Sequence, residues 1–447
     1  MRRIDFSTLN RLVEAKQLKP LKEALADFNV VDLANFIEQL NRESVVYAFR
    51  ALPKDIAAQV FSYLSFESQE FIVQSITDQE IGHIINDLFS DDAADLIEEL
   101  PANVVKKVLR NASPEVRNTI NQLLQYPAES AGSIMTAEFV DLKKHMTVGE
   151  AFARIRRTAF EKETVYTCYV IDEHRRLEGV ISVKRLLVTP DDTILSQVME
   201  TNIIKVTTTD DQELVAHLFA KYGLLSLPVV DHENRLVGIV TIDDVIDVIH
   251  EEATEDFERM AAMLPSEKPY LKTSVLSLAK NRFAWLLFLM VSGMIVGSIL
   301  AKYEEAFVAI PLLVTFIPML TDTGGNAGSQ SSTLVIRGMA LSEIRVGDFL
   351  KVFFKEFRVS LIVGLGLSIA NFIRIMISYK DPMIALTVSL SLYLTVVIAK
   401  TVGGILPIFA KLVKADPAIM AAPIITTVVD ALSLMLYFRI AVVLLKL

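Results

Sequence analysis

The residue with the clearest chemical potential is an aspartate inside a long apolar run near the C-terminus. Asp430 follows Thr426-Thr427-Val428-Val429 and has no basic residue within eight positions. A carboxylate at the middle of a membrane costs several kcal/mol unless it has a partner, so it marks a functional site by default. A protonated or hydrogen-bonded structural aspartate is the alternative interpretation.

A polar segment about one hundred residues earlier interrupts another apolar run. The stretch from Asp322 to Ser332 contains three glycines, one aspartate, one asparagine and one glutamine. A helix that faces lipid does not use this composition, so the segment is expected to break the span and either line water or pack against protein. A tight helix crossing is the alternative, because small residues let backbones approach, and both roles can coexist.

These polar residues offer a metal ion only oxygen ligands. The candidate ligands are Asp430, Thr426 and Asn326, and no histidine or cysteine lies in the apolar half. Oxygen ligands favour Mg²⁺, Ca²⁺ or Mn²⁺ over softer metals. With so few protein ligands the ion would keep most of its water, as Mg²⁺ usually does. Two copies of Asp430 facing each other across a dimer would favour a divalent ion.

Two acidic groups stand out in the remainder of the chain. The first includes Asp91 and Asp95, and the second runs at helical spacing towards the first apolar span. The members of the second group are Asp243, Asp244, Asp247, Glu251, Glu252, Glu255, Asp256 and Glu258. Like charges at this spacing repel by a few tenths of a kcal/mol per pair, so either basic neighbours or bound cations would stabilise them. A solvated helix face is the ordinary interpretation of both groups.

Composition divides the chain into an acidic polar part and an apolar part. The 447 residues carry a net charge of −10, and the part from Leu271 onward is basic while the part before it is strongly acidic. This length predicts two to four domains. The acidic surface argues against nucleic acid and for cations as partners. The single cysteine, Cys168, excludes an internal disulfide and a cysteine-based zinc cluster. The six scattered histidines and the lack of a nucleophile–base pair or phosphate-cradling motif predict no enzymatic activity.

The apolar part predicts five membrane-spanning helices in a lipid bilayer. Each run is about long enough to cross a hydrocarbon core of roughly 30 Å. The runs are Phe283–Ala301, Phe307–Ile336, Val359–Ile377, Met383–Ala410 and Met420–Leu445. No secretory signal precedes them, since the N-terminus turns polar at once. Basic residues, among them Lys272, Lys280 and Arg282, collect on one side of the spans, which predicts a cytoplasmic N-terminus and an external C-terminus.

Two internal repeats predict the elements of the polar part. An apolar residue recurs every 12 positions at Leu40, Leu52, Leu64, Ile76, Leu88 and Leu100. Short amphipathic helices at a fixed period predict a superhelical stack. The predicted helices are Val31–Leu40, Lys54–Leu64, Gln79–Leu88 and Asp91–Leu100. Further on, residues 169–182 match residues 228–241 at a constant offset, each copy reading as strand, turn, strand and helix.

The second repeat resembles a pair of cystathionine-β-synthase (CBS) domains. Such pairs typically hold the ribose of a nucleotide with a Ser or Thr and an Asp three residues later. The second copy has Thr241 and Asp244, whereas the first has Ser182 but Arg185 in place of the aspartate. Binding of ATP at this pair is therefore a candidate property.

Taken in order, these parts resemble the MgtE-type magnesium transporters over nearly the whole chain. The motifs that carry the resemblance are Tyr126-Pro127-Ala128-Glu129-Ser130-Ala131-Gly132, Gly324-Gly325-Asn326-Ala327-Gly328, and Pro423-Ile424-Ile425-Thr426-Thr427 leading to Asp430. The resemblance implies a multidomain protein with an all-α N-terminal helical superhelix, an α/β CBS-domain pair, a long linker helix and a five-helix α transmembrane domain. The expected boundaries are 1–127 for the N-domain, 128–250 for the tandem CBS domains, 251–270 for the connecting (plug) helix and 271–447 for the membrane domain.

The same resemblance implies a homodimeric Mg²⁺ channel of the inner (plasma) membrane, with Asp430 as pore ligand. It further implies that cytosolic Mg²⁺ regulates the channel at acidic interfaces. The implied sensing residues are Asp91, Asp95, Asp244, Asp247, and Glu252, Glu255 and Asp256 facing Asp416. Two alternatives remain: a transporter of Mg²⁺, Co²⁺ or Mn²⁺ coupled to Na⁺ or H⁺, and a nucleotide-responsive sensor with a membrane anchor.

Overall fold

A computed structural model of the chain describes residues 6–265, 270–271, 273–420 and 422–446. Lys272, which entered the predicted orientation, and residues 266–269 of the predicted connecting helix lie outside the described residues. The chain divides into two compact units, Met1–Ile249 and His250–Leu447, and each is described by itself.

The first unit begins with ten short helices. They are α1 (Ser7–Glu14), α2 (Leu18–Leu25), α3 (Val30–Glu38), α4 (Arg42–Arg50), α5 (Lys54–Ser62), α6 (Phe66–Ser75), α7 (Asp78–Asp87), α8 (Ser90–Glu99), α9 (Ala102–Asn111) and α10 (Pro114–Leu123). Helices α3, α5, α7 and α9 pack one on the next, and α4, α6, α8 and α10 do the same. The predicted all-α superhelix is therefore confirmed.

The 12-residue repeat marks the places where helices end. Ile76, Leu88 and Leu100 directly follow α6, α7 and α8, and all three are buried. Polar caps begin the next helix in several repeats, as where the Thr77 hydroxyl accepts from the Glu80 amide in a capping box. The 12-residue period thus arises because an apolar residue at the end of each helix is buried in the shared core, and the cap of the next helix follows it.

Two small sheets of identical topology follow in the first unit. The strands are β1 (Asp141–Lys143), β2 (Thr167–Ile171) and β3 (Leu177–Ser182), then β4 (Val206–Thr207), β5 (Ser226–Val230) and β6 (Leu236–Thr241). In each sheet the first strand is parallel to the second, and the second is antiparallel to the third. Thr167 pairs with Ser182, and Ser226 pairs with Thr241, so the registers repeat at the predicted offset.

The helices of this pair complete two α/β layers that share a core. They are α11 (Val148–Thr158), α12 (Val183–Leu187), α13 (Gln212–Tyr222) and α14 (Ile242–Met260). The hydroxyls of Tyr169 and Ser226, one from each copy, lie 2.7 Å apart and are buried. The predicted α/β pair is confirmed.

Five long helices dominate the second unit. They are α15 (Val275–Ala301), α17 (Ile317–Ala340), α18 (Phe349–Tyr379), α19 (Pro382–Leu412) and α20 (Ala422–Leu445), with the short α16 (Glu304–Ala309) after α15. Within the described residues, four segments are long and apolar enough to cross a membrane: Val275–Ala301, Val346–Tyr379, Pro382–Leu412 and Pro417–Leu445. Helix α17 has 24 residues, about 36 Å, so it is long enough to span but is more polar than the others.

The predicted break in the glycine-rich segment is wrong, because α17 is continuous from Ile317 to Ala340. Its glycines make the close contacts that were the alternative interpretation. A Cβ on Gly324 would lie 2.8 Å from Thr395 Cγ2 of α19, and one on Gly328 would lie 2.7 Å from Ile425 Cγ2 of α20. The glycines therefore serve packing while the helix stays intact.

The acidic run before the membrane helices lies on one helix that starts earlier than expected. Helix α14 begins directly after β6 and ends at Met260, whereas the predicted connecting helix covers 251–270. The Leu264 amide donates to the Asn281 carbonyl at 3.1 Å, which ties the segment after α14 to the first turns of α15.

Candidate metal sites

An acidic cluster forms where α8, the segment after α11 and the start of α14 meet in the first unit. Its members are Asp91, Asp92, Asp95, Glu163, Asp243 and Asp244, and their charges act on one another. Asp91 is only 8% exposed, which contradicts a solvated face for this part of α8. The structure therefore brings together the predicted residues Asp91, Asp95 and Asp244, while Asp247 is exposed one turn further along α14.

Burial and mutual repulsion disfavour full ionisation of the acidic cluster. Burial, with the Asp244 charge next, raises the pKa of Asp91 well above its usual range. Burial likewise raises the pKa of Asp92 and Asp244 to about 6 and that of Asp95 to about 7. The pKa of Glu163 rises to about 8 through burial and then the charges of Asp244 and Asp243. A bound cation would relieve this repulsion, since an opposite charge favours the ionised form.

Hydrogen bonds fix the backbone around the acidic cluster. The Glu138 carboxylate accepts from the Ser90 and Thr136 hydroxyls, each at 2.7 Å, and so ties the first turn of α8 to the CBS pair. The Thr241 hydroxyl donates to Asp244 Oδ2 at 2.5 Å. Glu163 Oε2 is buried without a hydrogen-bond partner. Among the residues that the structure describes, no three carboxylate, histidine or cysteine side chains stand close enough to hold a metal ion.

A second group of predicted residues meets at the end of α14, within the second unit. The guanidinium of Arg259 forms ion pairs with Glu255 and with Asp416. Asp416 also accepts from the Ala418 amide at 2.8 Å. Glu252 and Asp256 lie on α14 and are partly exposed. The positive charge between Glu255 and Asp416 is therefore supplied by the Arg259 side chain.

The membrane helices carry a third site, formed by an exposed polar stripe on α17 beside α20. The polar stripe consists of Asp322, Asn326 and Gln330, spaced four residues apart and all exposed. The Asn326 amide donates to Asp322 Oδ1 at 3.2 Å. On α20, Asp430 is half-buried and close enough to Asp322 for their charges to interact.

Gly325 brings the polar stripe against the neighbouring threonine of α20. A Cβ at Gly325 would lie 2.7 Å from Thr426 Cγ2, so the two helices touch at this level. The Thr426 hydroxyl donates to the Pro423 carbonyl at 2.9 Å, which leaves its oxygen lone pairs available. Asn326, Thr426 and Asp430, the predicted oxygen ligands, thus come from two adjacent helices.

Three family models match the chain along its length. The model described as the MgtE intracellular N domain covers residues 28–129, the CBS domain model covers 131–191 and 195–251, and the divalent cation transporter model covers 317–440. The chain is 36% identical over 445 residues to the magnesium transporter MgtE of Thermus thermophilus, with 98% of each chain covered. The chain belongs to the MgtE family of divalent cation transporters.

Other members of the MgtE family and two solved structures agree with this assignment. The magnesium transporter MgtE of Bacillus subtilis is 33% identical over 429 residues, 93% of this chain and 95% of that protein. The soluble part of a magnesium transporter superposes with a TM-score of 0.53 and 31% identity, over 56% of this chain and 98% of that one. The cytosolic domain of the Mg²⁺ channel MgtE in complex with ATP gives a TM-score of 0.52 and 36% identity, over 54% and 98%. These relatives carry the names of transporters and channels, which are not enzymes.

Charged side chains within this MgtE-family membrane unit make contacts that the sequence analysis did not predict. Lys400 of α19 is 6% exposed, and Arg374 of α18 lies over the Phe316 ring. Glu356 lies between Lys355 and Arg358 in the sequence, and its Oε2 accepts from the Ser331 hydroxyl at 2.6 Å. Lys400 and Arg374 could have been found as single charges inside apolar runs, the signal that identified Asp430, whereas Glu356 stands among basic residues of the sequence.

The acidic cluster was only partly predicted. Asp92 adjoins the predicted Asp91, and Asp243 belongs to the second acidic group of the sequence, but neither was named as a sensing residue. Glu163 lies in a segment without helix or strand periodicity, so no sequence pattern indicated it. In the CBS pair, Ser182 accepts from the Arg185 amide at 3.2 Å and caps α12, while Thr241 is bonded to Asp244.

Proposed function

We propose that this chain is a Mg²⁺-selective channel for magnesium uptake across the plasma membrane. The observation that carries the proposal is the position of Asp430 beside Asp322, Asn326 and Thr426 within a unit of apolar helices. Carboxylate, amide and hydroxyl oxygens suit a hard divalent cation that keeps part of its water. Relatives that match almost the whole chain are named magnesium transporters.

The proposed channel is a homodimer. Asp322, Asn326 and Gln330 are exposed on a single copy, yet side chains of this kind are costly against lipid. A second copy that turns the same face towards the first would enclose these residues around water and set two Asp430 carboxylates near each other. A doubled negative charge would favour a divalent over a monovalent ion.

Cytosolic Mg²⁺ is proposed to regulate this channel through acidic residues. The pKa values of Asp91, Asp95 and Asp244 are raised by burial and by neighbouring charges, so a bound cation would stabilise the closed packing. Asp247, one turn from Asp244, is a further ligand in this proposal. Glu252, Glu255 and Asp256 with Asp416 form the proposed second sensing group. Several weak oxygen sites would respond steeply near millimolar Mg²⁺.

We further propose that ATP binds the CBS pair at Thr241 and Asp244. A relative's cytosolic domain is described in complex with ATP. Asp244 belongs to the acidic cluster as well, so the nucleotide and the cation would compete for or share one carboxylate. Loss of ATP binding in Thr241→Val, measured by calorimetry on the full chain, would support this role; unchanged binding would contradict it.

We propose the domains and the membrane orientation that the sequence predicts. Residues 1–127, 128–250 and 251–270 form the cytoplasmic sensor and connecting region, and residues 271–447 form the pore with five crossings. The basic residues beside the spans favour a cytoplasmic N-terminus and an external C-terminus.

The direct test is Mg²⁺ flux through the purified full chain in liposomes. Uptake should occur without a nucleotide or an ion gradient other than that of Mg²⁺, and millimolar Mg²⁺ on the sensor side should reduce it. Absence of flux at low Mg²⁺ in folded protein would contradict the proposal. Repeating the assay with Co²⁺, Mn²⁺ and Ni²⁺ would establish selectivity.

One observation favours a coupled transporter as the second candidate. Lys400 and Glu356 are ionisable groups linked through Ser331 inside the membrane unit. Such groups are typical of proton or ion relays. If an imposed Na⁺ or H⁺ gradient drives Mg²⁺ against its own gradient, the coupled mechanism is correct and the channel proposal fails.

A further inference from the structure

A buried lysine lies directly behind the polar stripe and has no role in the proposed channel mechanism. Lys400 Nζ is 3.4 Å from Gln330 Oε1 and 3.5 Å from Ser331 Oγ. The lysine is 6% exposed and Ser331 is 1% exposed, whereas Gln330 is exposed on the stripe. Lys400 therefore connects the interior of the helix bundle with one end of the stripe.

A carboxylate on a third helix is linked to Lys400 through the Ser331 hydroxyl. The Ser331 hydroxyl donates to Glu356 Oε2 at 2.6 Å and lies within reach of the Lys400 ammonium. The three side chains come from α19, α17 and α18. A Cβ on Gly404 would lie 2.8 Å from Glu356 Cγ, and one on Gly403 would lie 2.2 Å from the Gly328 carbonyl. Close backbone contacts thus hold the group in a fixed place.

The contact with Lys400 determines which atom of Gln330 faces the polar stripe. An ammonium group can only donate hydrogen bonds, so its partner in Gln330 must be the amide oxygen. The amide nitrogen is then the group left at the exposed surface. A nitrogen that carries hydrogens repels cations, in contrast to the oxygens of Asp322 and Asn326.

We propose that Lys400 is a positioning residue that ends the cation-binding part of the polar stripe at Asn326. It turns the Gln330 oxygen inward and adds a buried positive charge beside the next position. At the next position of the stripe, a cation that has passed Asn326 meets an amide nitrogen and a buried positive charge, so it leaves in hydrated form. Rapid conduction requires binding that is favourable enough for entry and weak enough for exit. This inference rests on the proposed cation conduction.

The first experiment neutralises Lys400 and Glu356 together, so that neither charge remains without the other. In Lys400→Met/Glu356→Gln, the Gln330 oxygen is free to turn outward and the positive charge is gone. The concentration of Mg²⁺ for half-saturated flux into liposomes should fall about tenfold, and maximal flux should fall with it. Lys400→Arg keeps the charge and the donors, and we expect it to stay close to the wild type.

Gln330 should account for much of this change. Adding Gln330→Leu to Lys400→Met/Glu356→Gln should raise the half-saturating concentration again. The same substitution in the wild-type chain should have a several-fold smaller effect, since Lys400 holds the oxygen away. Equal effects in both backgrounds would overturn the inference, because coupled residues are expected to be non-additive.

A second pair of variants leaves Lys400 and Glu356 unchanged. Asn326→Asp and Gln330→Glu each add one carboxylate at an exposed position of the same helix. Asn326→Asp should lower the half-saturating Mg²⁺ concentration about tenfold, and Gln330→Glu should lower it much less because Lys400 neutralises the new charge. Equal strengthening by both would overturn the inference. Wild-type protein without Mg²⁺ flux would instead overturn the proposed function, and this inference with it.

Discussion

Arg259 at the end of α14 forms an ion pair with Asp416, which lies 157 residues further along the chain beside the membrane helices. The same guanidinium pairs with Glu255 one turn earlier on α14. Met260, the next residue, packs against Ile336 and Ala418. The Arg259 side chain thus neutralises the carboxylates of Glu255 and Asp416, which were predicted to share Mg²⁺. The neighbouring Met260 adds an apolar contact at the same junction.

Removal of the Arg259 charge should make this junction depend on Mg²⁺. In Arg259→Gln the carboxylates of Glu255 and Asp416 repel each other unless a divalent cation joins them. The cytosolic Mg²⁺ concentration for half-maximal inhibition of flux should rise about fivefold, the equivalent of about 1 kcal/mol for a partly buried pair.

Arg259→Lys is the matched control, since it keeps the positive charge, and we expect most of the wild-type inhibition curve to return. Inhibition that is identical in Arg259→Gln and the wild type would contradict a role for this ion pair in closing.

The acidic cluster should make the metal-free protein less stable as the pH rises. The raised pKa values of Asp92, Asp244, Asp95 and Glu163 lie between about 6 and 8, above those of an unfolded chain near 4. The folded state therefore binds more protons than the unfolded state, and stability declines from about pH 4 to about pH 8.

Calorimetry of the full chain in chelator should show this decline. We expect the unfolding temperature of the first unit to be lower at pH 8 than at pH 5.5 by about 5 °C, and Mg²⁺ to restore it at pH 8. Asp91→Asn/Asp244→Asn should flatten both dependences. A transition that moves with neither pH nor Mg²⁺ would exclude the acidic cluster as a sensing site.

Helices α17 and α19 are in backbone contact at Gly403, so we expect that no side chain is tolerated there. A Cβ at Gly403 would lie 2.2 Å from the Gly328 carbonyl, so Gly403→Ala must push the helices apart. We expect a loss of about 2 kcal/mol or more, seen as a lower midpoint of thermal unfolding for the membrane unit.

Gly366→Ala is the control, because no atom lies within 4 Å of a Cβ built at Gly366 on α18. This substitution should be neutral or slightly stabilising, since alanine favours a helix over glycine. An equal loss in both variants would show that the contact is not specific.

Sequence reasoning was most successful where a periodic pattern determined the structure. The 12-residue recurrence predicted the helical stack, and the constant offset between the two copies predicted matching sheets. It failed where three-dimensional contacts decide the outcome. The glycines of α17 were expected to break the helix, yet their lack of side chains is used for close packing against Thr395 and Ile425.

The candidate sites likewise divide into residues that a sequence pattern identifies and residues whose contacts depend on the three-dimensional fold. Asp430 was identified because one charge in an apolar run is costly wherever its partners lie. Lys400 carries the same signal, but its link through Ser331 to Glu356 depends on three helices that are distant in sequence. Arg259 was not expected between Glu255 and Asp416, because side-chain spacing along α14 gives no information about its partner outside the helix.

Asp430 is the charge that a permeating cation is predicted to meet in the membrane. The decisive measurement is Mg²⁺ flux into liposomes that contain the full chain, comparing the wild type with Asp430→Asn and Asp430→Ala at equal amounts of folded protein. We predict that Asp430→Asn reduces Mg²⁺ flux at least tenfold and that Asp430→Ala abolishes Mg²⁺ selectivity. Wild-type flux and selectivity in both variants would contradict the account.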